Sequence, residues 1–206
     1  MPTVVDSVGV IGSASALPGA PPLTGILGDQ QASLLGQGCV RPGQAKITFG
    51  TGGRLDLCLD DRPRFETQGT GGTFPIVTRS VDGVRRWGLE AVMLAAGTNV
   101  EWLRDDLQII ADAADSHTVA SQCETSDGVA YVPALLGLGA PTWDYGARGA
   151  LLGLTRGSGR PQIVRAVLEG IAQRAADLVE AAETDSGLAI PVLRVDGGMS
   201  ANPTFL

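Results

Sequence analysis

One feature constrains this chain more than any other: a glycine-bearing turn that recurs after apolar, strand-like runs. Gly28 follows residues 23–27, the Gly50-Thr51-Gly52-Gly53 turn follows residues 44–49, and Gly197-Gly198 follows residues 191–195. Glycine bends the backbone tightly and lets N–H groups approach a ligand with no side chain in the way. Open α/β sheets bind their ligands beyond the carboxyl ends of strands. Each turn alone is what any tight bend requires. Two of the three also carry polar groups suited to phosphoryl transfer, Asp29 and Thr51. Neither G-x-G-x-x-G nor the P-loop pattern occurs, so the Rossmann and P-loop readings lose their main support.

Strands alternating with long helices indicate an α/β architecture. Residues 1–22, rich in Pro, Gly, Ser and Ala, read as an irregular lead-in, and residues 23–206 as one domain. Within it, 23–27 reads as a short buried strand and 29–38 as a helix. Residues 44–49 read as a half-buried strand, because Ala45, Ile47 and Phe49 alternate with Lys46 and Thr48. The glycines at 50–53 then turn a hairpin into a strand at 55–59. After a loop at 60–73 comes an edge strand at 74–78, since Pro75 cannot serve a central ladder. From Leu89 the apolar positions Leu89, Val92, Met93, Ala96, Val100 and Leu103 fit a helical stripe. Gly97 falls inside that stripe, where a close approach by another group would account for it. Residues 129–135 are apolar and lead into a loop at 137–141. The longest helix opens at Pro161 and reaches Glu183, with Ile163, Val167, Ile171 and Leu178 inward, an Arg165–Glu169 pair outward, and Gly187 as its stop. A strand at 191–195 and a helix start at 200–203 close the chain.

Composition narrows the function. The 206 residues are 44% hydrophobic and 18% charged, which is globular rather than disordered. A net charge of -7 argues against nucleic acid and acidic membrane surfaces as partners. A nucleotide remains compatible, since its phosphates are held by backbone N–H groups and a metal ion. Cys39, Cys58 and Cys123 are widely spaced, which suits buried free thiols in a reducing compartment better than a disulfide framework. No apolar run is long enough to span a membrane, and the start lacks a basic region followed by an apolar core, so a cytoplasmic protein is expected. His117 is the one histidine, set in a polar stretch, and reads as a surface residue. That leaves Ser-His-Asp chemistry poorly supported and a zinc site almost excluded. Asp105, Asp106, Asp112 and Asp115 read as a solvated acidic face, and no metal-ligating set is expected. Asp29 keeps two readings: the N-cap of the helix after it, or a general base at a strand end.

The blocks Gly28-Asp29-Gln30-Gln31-Ala32, Gly50-Thr51-Gly52, Glu101-Trp102-Leu103-Arg104-Asp105, Gly137-Leu138-Gly139-Ala140-Pro141, Trp143-Asp144, Ala147-Arg148-Gly149 and Leu193-Arg194-Val195-Asp196-Gly197-Gly198 occur in this order. They resemble blocks of the glycerol kinases, within the FGGY family of carbohydrate kinases. The segment from Gly149 through Gln162-Ile163 to Glu169 resembles that family's C-terminal signature, and the resemblance covers nearly the whole chain.

The resemblance implies an actin-like (ribonuclease H-like) ATPase domain, the second of the family's two, incomplete at its C-terminal end. It implies ATP-dependent phosphorylation of a polyol, foremost glycerol to glycerol 3-phosphate, in a homo-oligomer when full length. By the same resemblance Asp29 is the catalytic base, Gln30 helps hold the substrate, and Arg54 stands in the substrate wall where an aromatic residue is usual. Gly50, Thr51 and Gly52 contact the nucleotide phosphates, and Gly97 and Gly198 approach the nucleotide. Glu101 stands where a glutamine is common, and Asn202 lies near the adenine. ATP and Mg²⁺ are the implied cofactors, with metal ligands mainly in the first domain, which the resemblance does not cover. Arg54 keeps a more polar or anionic acceptor open. Two rivals remain: a kinase for another sugar or sugar alcohol, and a non-catalytic nucleotide-binding module.

Overall fold

The computed structural model describes residues 3–206. Strands β1 (Val8–Ser13) and β2 (Pro22–Gly25) pair antiparallel as a separate two-stranded sheet. Two expectations are corrected here. The lead-in contains a strand, and the run before Gly28 is exposed through Ile26 rather than buried, with Leu27 half-buried, because its strand pairs only with β1. Helix α1 (Asp29–Gly36) follows, then β3 (Ala45–Phe49) and β4 (Gly53–Cys58), joined by the Gly50-Thr51-Gly52 turn. Strands β5 (Phe74–Val81) and β6 (Val84–Met93) form the next hairpin. Helices α2 (Gly97–Asp105) and α3 (Asp115–Ala120) precede a small hairpin of β7 (Ala130–Val132) and β8 (Ala150–Leu152). The long α4 (Arg160–Ser186), β9 (Leu193–Asp196) and a 3-10 turn at Gly198–Ala201 complete the chain.

The central sheet runs β5-β6-β4-β3-β9, antiparallel except for the parallel pair β3 and β9. Proline-bearing β5 takes one edge, as its missing N–H requires. The expected helix from Leu89 is corrected: Leu89, Ala91 and Met93 are buried at period two in β6, which is hydrogen-bonded to both β4 and β5. Positions Leu89 and Met93 suit either period, and it is the long-range pairing that selects the strand. Gly97 consequently opens α2 instead of interrupting a helix.

One face of the sheet is covered by α4, which packs on β4, β6, β7 and α3. Its Val164, Val167, Ile171 and Leu178 join Ile47, Leu55, Leu57 and Leu89 in the core, with Ile163 partly buried beside them. Gly159 precedes it as N-cap, Pro161 lies in its first turn, and Gly187 ends it in the left-handed conformation at φ 69°. Arg165 and Glu169 pair at 2.8 Å on its outer face. The opposite face of the sheet is polar and meets α1. Register places Glu90, Asp56, Lys46 and Arg194 in one row and Val92, Arg54, Thr48 and Asp196 in the next. The strand 45–49 is therefore not half-buried: α1 covers this face, and both Lys46 and Asp56 are fully buried.

Candidate active site

Because β3 and β9 are parallel neighbours, their carboxyl ends lie side by side, and so do the two glycine turns that follow them. The first turn is closed by Gly50 N–H donating to the Gly52 carbonyl at 3.0 Å. It is also fastened to the start of α2. Gly97 N–H donates to the Gly50 carbonyl at 2.9 Å, Ala96 N–H to the Thr51 carbonyl at 2.8 Å, and Thr98 Oγ1 to the same carbonyl at 3.0 Å. A Cβ at residue 97 would stand 2.6 Å from the Gly50 oxygen, so the close approach is by the turn's own backbone. Gly197, at φ 89°, lies against the backbone of Phe49.

Two cavities share Gly50 and Thr51 in their walls. The larger, about 620 Å³, is lined by Gly50, Thr51, Gly97, Glu101, Gly198 and Asn202 among others. The smaller, about 340 Å³, is lined by Gln30, Thr48, Gly50, Thr51, Gly52 and Arg54, with Val92, Met93 and Leu94. The structure thus brings together Gly50, Thr51, Gly97, Glu101, Gly198 and Asn202 around one space. It brings Gln30, Gly52 and Arg54 together around the other. Asp29 lines neither: it is exposed at the start of α1, one residue before Gln30. Gly28 occupies the N-cap position in extended conformation, and Asp29 Oδ1 accepts the Gln30 N–H at 2.8 Å. Arg54 Nη1 reaches Glu90 Oε1 at 3.0 Å across the β4–β6 ladder.

Beneath Gln30 lies a polar cluster that sequence reasoning did not find. Lys46 Nζ donates to Gln30 Oε1 at 2.5 Å and to Thr48 Oγ1 at 2.7 Å, and pairs with Asp56 Oδ2 at 2.8 Å. Burial pushes the Asp56 carboxyl up to about 6 against the pull of Lys46, and Asp56 Oδ1 has no hydrogen-bond partner. Asp196 Oδ2 accepts from Ser33 Oγ and, at 3.2 Å, from Gln37 Nε2, which fastens α1 to β9. Burial raises the Asp196 carboxyl, but the hydroxyls of Ser33 and Thr48 and the Gln37 amide outweigh it and hold the group below its ordinary value.

His117 is also corrected. It is half-buried, lines the larger cavity, and its Nδ1 lies 2.7 Å from Thr204 Oγ1. Ser116 beside it is buried and accepts from Asn202 Nδ2 at 2.9 Å. No local pattern marks these residues, since their partners lie more than eighty positions on. The cysteines are free, Cys39 and Cys58 buried and Cys123 partly so. Among the described residues no helix is long and apolar enough to cross a membrane, and no group of three or more His, Cys, Asp or Glu could hold a metal ion.

The mixed sheet with its helices is the actin-like ATPase fold of the sugar kinases on which the chain superposes. The chain superposes on a glycerol kinase from Plasmodium falciparum solved with ADP, with TM-score 0.81 and 35% identity over 90% of this chain and 37% of that one. It matches a xylulose kinase from Brucella ovis with TM-score 0.83, 26% identity, and coverage of 100% and 42%. Residues 45–206 match the model of the C-terminal domain of the FGGY family of carbohydrate kinases. Glycerol kinase from Listeria welshimeri is 45% identical over 88% of this chain, and that from Alkalilimnicola ehrlichii 43% identical over 100%. The chain belongs to the FGGY family of carbohydrate kinases. It spans 36% and 41% of the length of those two relatives. The matched domain begins at β3, so α1, with Asp29 and Gln30, lies ahead of it in sequence yet is hydrogen-bonded into its sheet.

Proposed function

We propose that this chain is the nucleotide-binding and base-supplying half of an ATP-dependent polyol kinase, with glycerol as the leading acceptor. The observation that carries this reading is the shared wall: one peptide, Gly50–Thr51, lines both cavities, so two ligands would meet across it. The larger space, with its exposed glycine backbone and the Asn202 amide, suits a nucleotide, whose phosphates backbone N–H groups can hold. A Cβ at Gly198 would meet nothing within 4 Å, so that turn faces open space. The smaller space suits a short polyol between Gln30 and Arg54.

In the proposed step Asp29 takes the proton of the acceptor hydroxyl as its oxygen bonds to the γ-phosphorus and the bond to the β–γ bridging oxygen breaks. Positioning and electrostatics do most of the work in such a transfer, and this chain contributes the Thr51 turn, Gly97, Glu101, Gly198 and Asn202 to it. The described residues do not form a protein cage for Mg²⁺, and no step here passes through the metal.

Arg54 supports a second acceptor class. A guanidinium at 47% side-chain exposure on the wall of the smaller cavity favours a more polar or anionic sugar alcohol over glycerol, although Glu90 already engages part of its charge. A coupled ADP-release assay of the full-length protein against a panel of polyols and sugars tests both. Polyol-dependent turnover with glycerol fastest supports the first reading, and a faster anionic acceptor the second. No acceptor-dependent turnover would leave the non-catalytic module standing. The 206-residue chain by itself is expected to show no appreciable turnover.

A further inference from the structure

Lys46, the single lysine of the sequence, is fully buried, and it stands under the floor of the smaller cavity rather than in it. An ammonium carries three N–H donors and no acceptor. Here three acceptors from three elements surround it: Gln30 Oε1 of α1 at 2.5 Å, Thr48 Oγ1 of β3 at 2.7 Å and Asp56 Oδ2 of β4 at 2.8 Å. The charged neighbours in its own row are Arg194, in register on the β9 side, and Glu90 beyond Asp56, while Arg54 and Asp196 lie in the next row of the same face. Arg194 Nη1 is turned to Cys39 Sγ at 3.6 Å, and Glu90 is occupied by Arg54. Burying such a pair costs on the order of several kcal/mol per ion, and apolar residues of similar volume are often as stable or more so. The cluster therefore needs a reason beyond stability, and Lys46 meets the wall of the smaller cavity at two residues, Gln30 and Thr48, of which Gln30 has the longer side chain with donors left to offer.

The geometry points to Lys46 as a positioning residue that fixes the amide of Gln30 with its oxygen inward and its N–H₂ group toward the acceptor cavity. An amide flip would set two donors against an ammonium and forfeit the short contact, so the orientation is dictated by charge. What Gln30 then offers a ligand is donors. A hydroxyl oxygen that accepts from Gln30 Nε2 keeps its own proton free, and on the proposed reading Asp29, exposed one residue away and outside the cavity lining, takes it. Lys46 in this way orders the two lone-pair and proton directions of the reacting hydroxyl without touching it. This inference rests on the proposed reading of Gln30 as an acceptor-substrate contact.

The test uses the full-length protein and compares Gln30→Ala, Gln30→Glu, the charge-free pair Lys46→Met with Asp56→Leu, and all three positions changed together. Expected are a rise in acceptor KM of roughly three- to tenfold for Gln30→Ala and a comparable rise for the charge-free pair, the range one net hydrogen bond supplies. The combined variant should add nothing further, and nucleotide KM should stay within about twofold throughout. Gln30→Glu keeps the contact to Lys46 and loses the donors, so it should raise acceptor KM while leaving the folded protein intact. It serves even if the charge-free pair fails to fold. An acceptor KM unchanged in the charge-free pair, or lowered in Gln30→Glu, while Gln30→Ala raises it, overturns the positioning role and leaves the function standing. A silent Gln30→Ala removes the substrate contact itself and this inference with it.

Discussion

Asn202 Nδ2 donates to Ser116 Oγ at 2.9 Å, joining the turn after β9 to α3 along the wall of the larger cavity. The same side chain accepts at Oδ1 from Thr204 N–H at 3.0 Å and Phe205 N–H at 3.1 Å. Its amide is thus held at both ends, with Thr204 in turn against His117. Asn202→Ala removes all three bonds at once. In the full-length protein it is expected to raise nucleotide KM by about tenfold, the size of one or two lost hydrogen bonds, and to leave acceptor KM unchanged. Steady-state kinetics with each substrate varied in turn decide it; an acceptor KM that rises equally would place Asn202 outside the nucleotide site.

Gly97 bears on the same cavity from the other side. A methyl group there would have to displace the Gly50 carbonyl, which stands 2.6 Å from the position of the new Cβ. The atom in the way is backbone of a turn closed by its own hydrogen bonds, so it cannot yield without opening the Thr51 turn. Gly97→Ala is expected to destabilise this chain by about 1–3 kcal/mol, as overpacking does, despite the better helix propensity of alanine. It should also weaken nucleotide binding. Urea midpoints of the two forms provide the check, and a stabilised variant would show that the turn has room to move.

Acid sensitivity follows from two carboxyls whose values shift in opposite directions, half-buried Asp185 and fully buried Asp56. Burial raises Asp185, but the Gly71 N–H at 2.7 Å and the hydroxyls and N–H of Thr73 and Thr70 outweigh it and leave its carboxyl below the ordinary value. A depressed folded-state value means stability that is present above the unfolded-state range and is lost as pH falls through the folded one. Asp56 runs the other way. With its carboxyl raised to about 6, the folded state holds the proton longer, so its ionisation costs stability as pH rises toward 6. Denaturant midpoints from pH 3 to 7 should therefore flatten at the acid end in Asp185→Asn. In Asp56→Asn they should lose the decline between pH 4 and 6. Identical pH profiles in both variants and the parent would refute the assignment.

The sequence exposes what is local. Alternation marks β3, Pro75 places β5 at an edge, and Pro161 and Gly187 bracket α4 to within a few residues, because each signal sits in the element it describes. Even the glycine turns can be read, since a turn must carry its own glycine. Legibility fails where a distant partner decides. Leu89 to Met93 suits a helix until β4 and β5 claim it, and Lys46 looks like the outer side of a half-buried strand until α1, sixteen positions away, covers it. His117 shows nothing in its own stretch because Thr204 arrives from the other end of the chain. The family blocks bridge part of that gap for Thr51, which the structure puts on the wall of both cavities, but the charged row under Gln30 emerges only from the strand register.

Asp29 is the residue on which the proposed chemistry turns, and a substitution there distinguishes a base from a structural cap. Gly28 already occupies the N-cap, and the carboxylate spends one oxygen on the adjacent Gln30 N–H while staying exposed at the helix start. Removing its charge should therefore cost little stability. Asp29→Asn keeps the shape and the acceptor oxygen but cannot take a proton. In the full-length protein kcat is expected to fall by roughly 10²–10⁴, the range of general-base catalysis. Nucleotide and acceptor KM and the thermal midpoint should hardly move. Rapid-quench measurement of a single turnover locates the loss in the chemical step. A drop in thermal stability with kcat preserved would return Asp29 to a structural role and shift the search for the base to the part of the family's length that this chain does not span.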